Sequence, residues 1–150
     1  MTILSSEGIA VELPTGWEGS IGHESTREDG SVRNVVAHFA SFPLPPRRGD
    51  FGAGAVDLMG PGDAFITLFD YGRASAGTAL FASDGLPPPL ESSHFDRSTL
   101  QKPLPLQSAV QRFFTAGGRA LCLYVVVGSH VDRADVLPAI NRLLSTMSIR

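Results

Sequence analysis

The residues of this chain whose types could do chemistry are His23, His38, Cys122 and a glycine-flanked group made of Arg47, Arg48, Asp50, Asp57 and Asp63. A histidine near aspartates can work as a general base, a cysteine thiolate as a nucleophile, and paired arginines as donors to an anionic group. Each has a plainer structural fate to set against it. His23-Glu24 begins like a zinc-binding helix, but Arg27 stands where the second histidine would be and the surroundings read as strand, so no metal site is expected. His38 lies inside an apolar strand, where a hydrogen-bonded core imidazole is the commoner outcome. His94 and His130 fall in or beside loops and read as ordinary exposed histidines. Cys122 sits between Leu121 and Leu123, which makes a buried, inert thiol the expectation.

Other short matches fail on context. No G-x-S-x-G elbow occurs, and Gly52-Ala-Gly-Ala-Val-Asp57 follows a Pro-rich stretch and puts a carboxylate where a dinucleotide phosphate would lie. No catalytic set and no cofactor is therefore expected. Arg48-Gly-Asp50 reads as a turn. The segment around it concentrates Arg47, Arg48, Asp50 and Asp63 beside glycines. It reads either as a solvated loop or as a docking edge on which Arg47 and Arg48 donate to an anionic group, with Asp50 and Asp63 as its acidic members.

Composition narrows the classes. The chain has 150 residues, 43% hydrophobic and 18% charged, which fits one globular domain spanning 1–150 with one core. A net charge of −3 gives no basic footprint for nucleic acid. One cysteine allows no internal disulfide, and no apolar run approaches the ~20 residues needed to cross a bilayer. Without a basic start followed by a long apolar stretch, a cytoplasmic location is expected.

The elements that must position these residues follow from periodicity. Ile9, Val11 and Leu13 alternate with smaller or polar residues as a strand that Pro14-Thr-Gly16 ends. Trp17 to His23 reads as a return strand, Thr26 to Ser31 as a turn, and Arg33 to Phe42 as a third strand, so the three are expected to form a meander. Pro43 to Asp50 reads as surface loop, Ala53 to Met59 as a short helix stopped by Gly60-Pro-Gly62, Ala64 to Tyr71 as a strand and Thr78 to Ala82 as a shorter one. A turn of helix is expected near Phe95 to Leu100.

Gly117-Gly118 between two strand patterns predicts a tight hairpin. A two-residue turn sets Phe114 opposite Leu121, Phe113 opposite Cys122 and Gln111 opposite Tyr124. The run Leu121 to Val127, apolar on both faces, predicts a central strand. Leu137, Ile140, Leu144 and Met147 mark a closing helix with Asn141 on its solvent side, capped by Asp135 so that Pro138 falls in the first turn.

Val11-Glu-Leu-Pro-Thr-Gly-Trp17 resembles the opening strand and "P-x-G-W" turn of Mog1/PsbP-like domains, and the final hydrophobic strand, loop and helix ending in Ser145-Thr-Met-Ser-Ile149 resembles their closing unit. The resemblance implies an α+β fold, an antiparallel β-sheet covered by helices as an α/β/α sandwich. It also leans toward a binding or assembly factor.

The leading expectation is thus a non-catalytic binding or assembly module acting through a protein partner or a ligand. The alternatives are a small hydrolase-type enzyme built on His23 or His38 with loop aspartates, and a self-associating structural protein pairing through its edge strands and Pro87-Pro-Pro-Leu90.

Overall fold

Strand-forming residues dominate a five-stranded antiparallel sheet in the computed structural model, which describes residues 2–23 and 34–150. Its members are β3 (Glu18–His23), β4 (Val35–Ala40), β5 (Ala64–Gly72), β6 (Ser108–Ala116) and β7 (Arg119–Val127), in the spatial order β3-β4-β5-β7-β6. The expected hairpin register is found: Phe114 opposes Leu121, Phe113 opposes Cys122 and Gln111 opposes Tyr124. Gly117 and Gly118 both take positive φ, 59° and 73°, as the tight turn requires. All nine residues of β7 are buried, as befits a strand hydrogen-bonded on both sides and covered on both faces.

A second antiparallel sheet joins β1 (Thr2–Ser6), β2 (Ile9–Leu13) and β8 (Ser148–Ile149) in the order β1-β2-β8. This corrects the expected meander. β2 pairs with β1 and β8, and β3 pairs with β4 in the other sheet. The Pro14–Trp17 turn, closed by the Trp17 amide on the Pro14 carbonyl at 3.1 Å, carries the chain between sheets instead of folding it back. The Thr26 to Ser31 turn and Arg33 lie outside the described residues.

The main core lies on one face of the larger sheet. Ala37, Phe39, Ile66, Leu68, Leu123 and Val125 meet Ile9, Val11 and Leu13 of β2 and Ile140 and Leu143 of helix α1 (Arg133–Thr146). α1 is the one α-helix among the described residues, and none is long and apolar enough to cross a membrane. It starts earlier than Asp135. Asp132 flanks it, tied to the Ser129 hydroxyl, which leaves Pro138 in the second turn, where its missing N–H costs the helix a bond to the Ala134 carbonyl. Asn141 does not face solvent: its side-chain amide clamps both the N–H and the C=O of Leu90 at 2.9 Å, pinning the Pro-rich connection to the helix.

Two expected elements shorten to single turns. Ala53 to Met59 keeps only a 3-10 turn at Val56–Leu58, closed by the Leu58 amide on the Ala55 carbonyl and the Met59 amide on the Val56 carbonyl and ended where Met59 turns extended, with ψ 130°. Thr78 to Ala82 is a 3-10 turn at Ala79–Phe81, not a strand. Among the described residues it finds no ladder partner, and burying Phe81 against Tyr71 and Phe113 fixes it instead. The turn expected near Phe95 to Leu100 is present at Arg97–Thr99.

A buried ion pair ties the two sheets together. Arg119 at the start of β7 holds Asp70 of β5 through Nη2 at 2.8 Å and Nε at 2.9 Å. Its Nη1 donates to the carbonyl oxygens of Glu7 at 2.7 Å and Arg150 at 3.2 Å, in the turn and at the tail that flank the smaller sheet.

Candidate functional site

The second face of the larger sheet carries a row of polar residues, one from each strand. Ladder register places Ser20 opposite His38, His38 opposite Thr67, Thr67 opposite Tyr124 and Tyr124 opposite Gln111. Side chains alternate between faces along a strand, so residues paired directly across the ladders share a face. Aromatic rings flank the row: Phe65 lies 5.2 Å from the His38 ring, and Phe51 stacks on Phe69 at 5.3 Å and meets Tyr124 edge-on at 6.0 Å.

Loop residues 43–63 lie over one end of this row. Arg48 Nε donates to His38 Nδ1 at 2.7 Å, its Nη2 to Ser20 Oγ at 2.7 Å and its Nη1 to the Pro45 carbonyl at 2.9 Å. A guanidinium only donates, so Nδ1 must accept. The ring proton therefore sits on Nε2, which donates to the Asp50 carbonyl at 2.7 Å. Burial pushes the His38 pKa down to about 4; the bond to Asp50 opposes that shift and the Arg48 charge adds to it. Burial also lowers the Arg48 pKa, against the favourable charge of Glu18.

Among the four candidate binding residues, the structure brings Arg48 and the Asp50 backbone together around His38. Arg47 is exposed. Asp63 lies apart, where its carboxylate accepts from Ser41 Oγ at 2.9 Å and the Gly60 amide at 2.8 Å and so holds the Gly60–Asp63 turn. The docking edge is therefore not one contiguous group: Arg48 is turned inward, because a buried imidazole and the Ser20 hydroxyl offer it acceptors that water would otherwise supply.

The remaining histidines stand elsewhere. His23 is exposed, 3.9 Å from Glu7, and Glu24 and Arg27 lie outside the described residues. His94 and His130 are half-buried, not exposed as the loop setting suggested. His94 Nδ1 accepts from the Glu91 amide, and His130 packs near Arg133 with its pKa lowered, chiefly by burial. Cys122 is buried as expected, with its pKa raised by burial and its sulfur 3.4 Å from Gln111 Nε2. Among the described residues, no three His, Cys, Asp or Glu side chains are grouped to hold a metal ion.

Beside the His38 cluster a cleft of about 330 Å³ opens above Tyr124, walled by Phe51, Val56, Leu100, Gln101 and Lys102 and closed toward the His38 cluster by Gly49 and Asp50. Lys102 spans its rim, bonded to the Asp57 carboxylate at 2.5 Å and the Ala53 carbonyl at 3.1 Å. Tyr124, only 2% exposed, accepts from the Gln101 amide at 2.8 Å, and among the described residues nothing accepts its own hydroxyl proton. Its pKa is raised, first by burial, so the phenol keeps that proton at neutral pH. The neighbouring Thr67 hydroxyl is fully buried and also lacks a partner among the described residues.

Of the row, sequence reasoning singled out His38 as a chemical candidate and placed Gln111 with Tyr124 as a facing pair. It missed Ser20, Thr67 and Lys102. The signal for the first two was a lone hydroxyl within a strand pattern, too common to weigh until four ladders align it. No family model matches the sequence, and no curated protein or solved structure matches it either.

Proposed function

We propose that this chain is a non-catalytic binding module whose ligand occupies the cleft above Tyr124. The observation that carries the reading is the meeting of two donors, the Tyr124 hydroxyl and the Lys102 ammonium, on one cavity whose other walls are largely apolar. Small-molecule sites have this make-up, with an apolar lining and a few polar groups that fix orientation. The matching ligand is small and flat, with an apolar body against Phe51, Val56 and Leu100 and an acceptor head, a carboxylate or carbonyl, facing Tyr124 and Lys102. His38 and Arg48 serve this site as scaffold: they lock the loop that carries Asp50 and Phe51 onto the sheet. The resemblance of Val11–Trp17 and of the closing strand and helix to Mog1/PsbP-like domains points the same way, since that resemblance leans toward a binding or assembly factor.

The test is a ligand-observed NMR screen of small aromatic carboxylates, with benzoate as the reference probe, against the wild type, Tyr124→Phe and Lys102→Met. Binding by the wild type that weakens about tenfold or more in each variant is expected, the weight of one hydrogen bond to a charged group. Equal binding by all three proteins, or none by the wild type, overturns the proposal.

A further inference from the structure

The outer edge of β6 is closed at both ends and open in the middle. Ala109 exchanges backbone bonds with Asp96 at 2.9 and 3.0 Å, and Thr115 bonds the Ser83 carbonyl at 2.8 Å and the Gly85 amide at 2.7 Å. Alternate residues of an antiparallel strand turn their N–H and C=O to the same side, so Gln111 and Phe113 face outward with Ala109 and Thr115. Between the two bridges the chain leaves the edge and runs to the helix, held there by the clamp of Asn141 on Leu90. Among the described residues no backbone group meets the outward N–H of Gln111, or the N–H and C=O of Phe113. The Gln111 carbonyl takes one bond from Arg112 Nη1 at 2.9 Å.

A groove of about 390 Å³ lies along this opening, lined by Asp84, Leu86, Pro87, Arg112, Phe113 and Phe114. Six residue steps separate the two bridged positions, about 20 Å of strand. An internal strand of a partner would run into Asp84 or Asp96 after pairing at two residues, whereas a chain end can stop inside the window.

We propose that this opening receives the C-terminal end of an extended peptide from a partner protein, added as a short strand against Gln111 and Phe113. Main-chain bonds to an exposed edge supply sequence-tolerant affinity, and side-chain pockets supply selectivity. Charge complementarity sets the direction. Arg112 spends one N–H on its neighbour's carbonyl and forms no ion pair among the described residues, so its guanidinium takes the terminal carboxylate. Asp84, in the same groove, favours a basic side chain on the incoming segment. Leu86, Pro87 and Phe114 provide an apolar wall for one of its other side chains.

The experiment uses ¹⁵N-labelled protein and pools of acetylated pentapeptides, randomised except at the C-terminus. One pool carries a free carboxylate, a second is amidated, and a third is N-methylated along its backbone. The free-acid pool should shift the Gln111 and Phe113 amide resonances and slow their hydrogen exchange. Amidation, or Arg112→Leu with an unchanged circular dichroism spectrum, should weaken the response about tenfold, the weight of one charge-assisted hydrogen bond. N-methylation should abolish it. Unmoved amides with the free-acid pool overturn the proposal, as does equal binding by the N-methylated pool. Shifts of the same amides on raising protein concentration alone also overturn it, and assign the edge to a second copy of the chain.

Discussion

Arg48 Nε lies 2.7 Å from Nδ1 of His38, and the other ring nitrogen of that imidazole lies 2.7 Å from the Asp50 carbonyl. Both ring nitrogens are thus committed, one as acceptor and one as donor. The pair is a fastening for the loop, set in a layer of aromatic rings, and it fixes the neutral form of the histidine.

That neutrality makes stability depend on pH. His38 titrates near 6.5 when unfolded and about 4 when folded, so the unfolded chain binds the proton more readily. The stabilisation is complete above about pH 6.5 and is lost as pH falls toward 4, of order 3 kcal/mol at about 1.4 kcal/mol per tenfold change. Urea midpoints across that window should fall in the wild type and stay flatter in His38→Gln, whose amide can still accept from Arg48 and donate to Asp50. Parallel curves for the two proteins would contradict the assignment.

The two loop arginines should behave differently. Arg48→Ala removes three hydrogen bonds and strands His38 Nδ1 in the interior, a loss of about 1–3 kcal/mol for a buried polar atom without a partner. Arg47→Ala, at an exposed position, should change stability by no more than about 0.5 kcal/mol. Thermal unfolding of the two single variants separates them.

Arg119→Met should cost about 3–5 kcal/mol, because it leaves the Asp70 carboxylate buried without its cation and frees the carbonyls of Glu7 and Arg150. Adding Asp70→Leu should recover part of that loss. Chemical denaturation of the single and double variants reads both, and a double variant no more stable than the single one would mean that the tie between the sheets outweighs the buried charge.

Trp17 is half-buried at the margin of the main core. Trp17→Ala should therefore fall short of the ~3–5 kcal/mol typical of full burial. A loss of that full size, measured by urea denaturation, would place the ring deeper than the structure does.

The β6–β7 hairpin could be read from the sequence because its register is a local matter: two glycines fix the turn, and counting outward from them fixes every pair. β1 could not, since its residues are mostly exposed, Ile3 at 70%, and show no alternation of apolar and polar side chains. The destination of β2 was equally hidden, because its second partner, β8, lies at the far end of the chain. Asn141 looked like a solvent residue because nothing in its own helix announces that the Leu90 backbone needs a partner. The polar row was the hardest feature to see. Ser20, His38, Thr67, Gln111 and Tyr124 are each unremarkable within their own strands, and only the stacking of four ladders makes them neighbours.

The spatial order β3-β4-β5-β7-β6 has a consequence for synthesis on the ribosome. β5 can pair with β4 as soon as it is made, but its other edge waits until residues 119–127 have emerged, and β2, paired on one side with β1, waits for β8 at 148–149. A nascent chain that stops short of residue 119 presents the unpaired edge of β5, whose residues 64–70 are all buried in the folded protein, to its surroundings, the kind of open strand that invites pairing with other chains. Closure of both sheets therefore falls to residues 119–149, so that chains ended before residue 119 should accumulate as insoluble material.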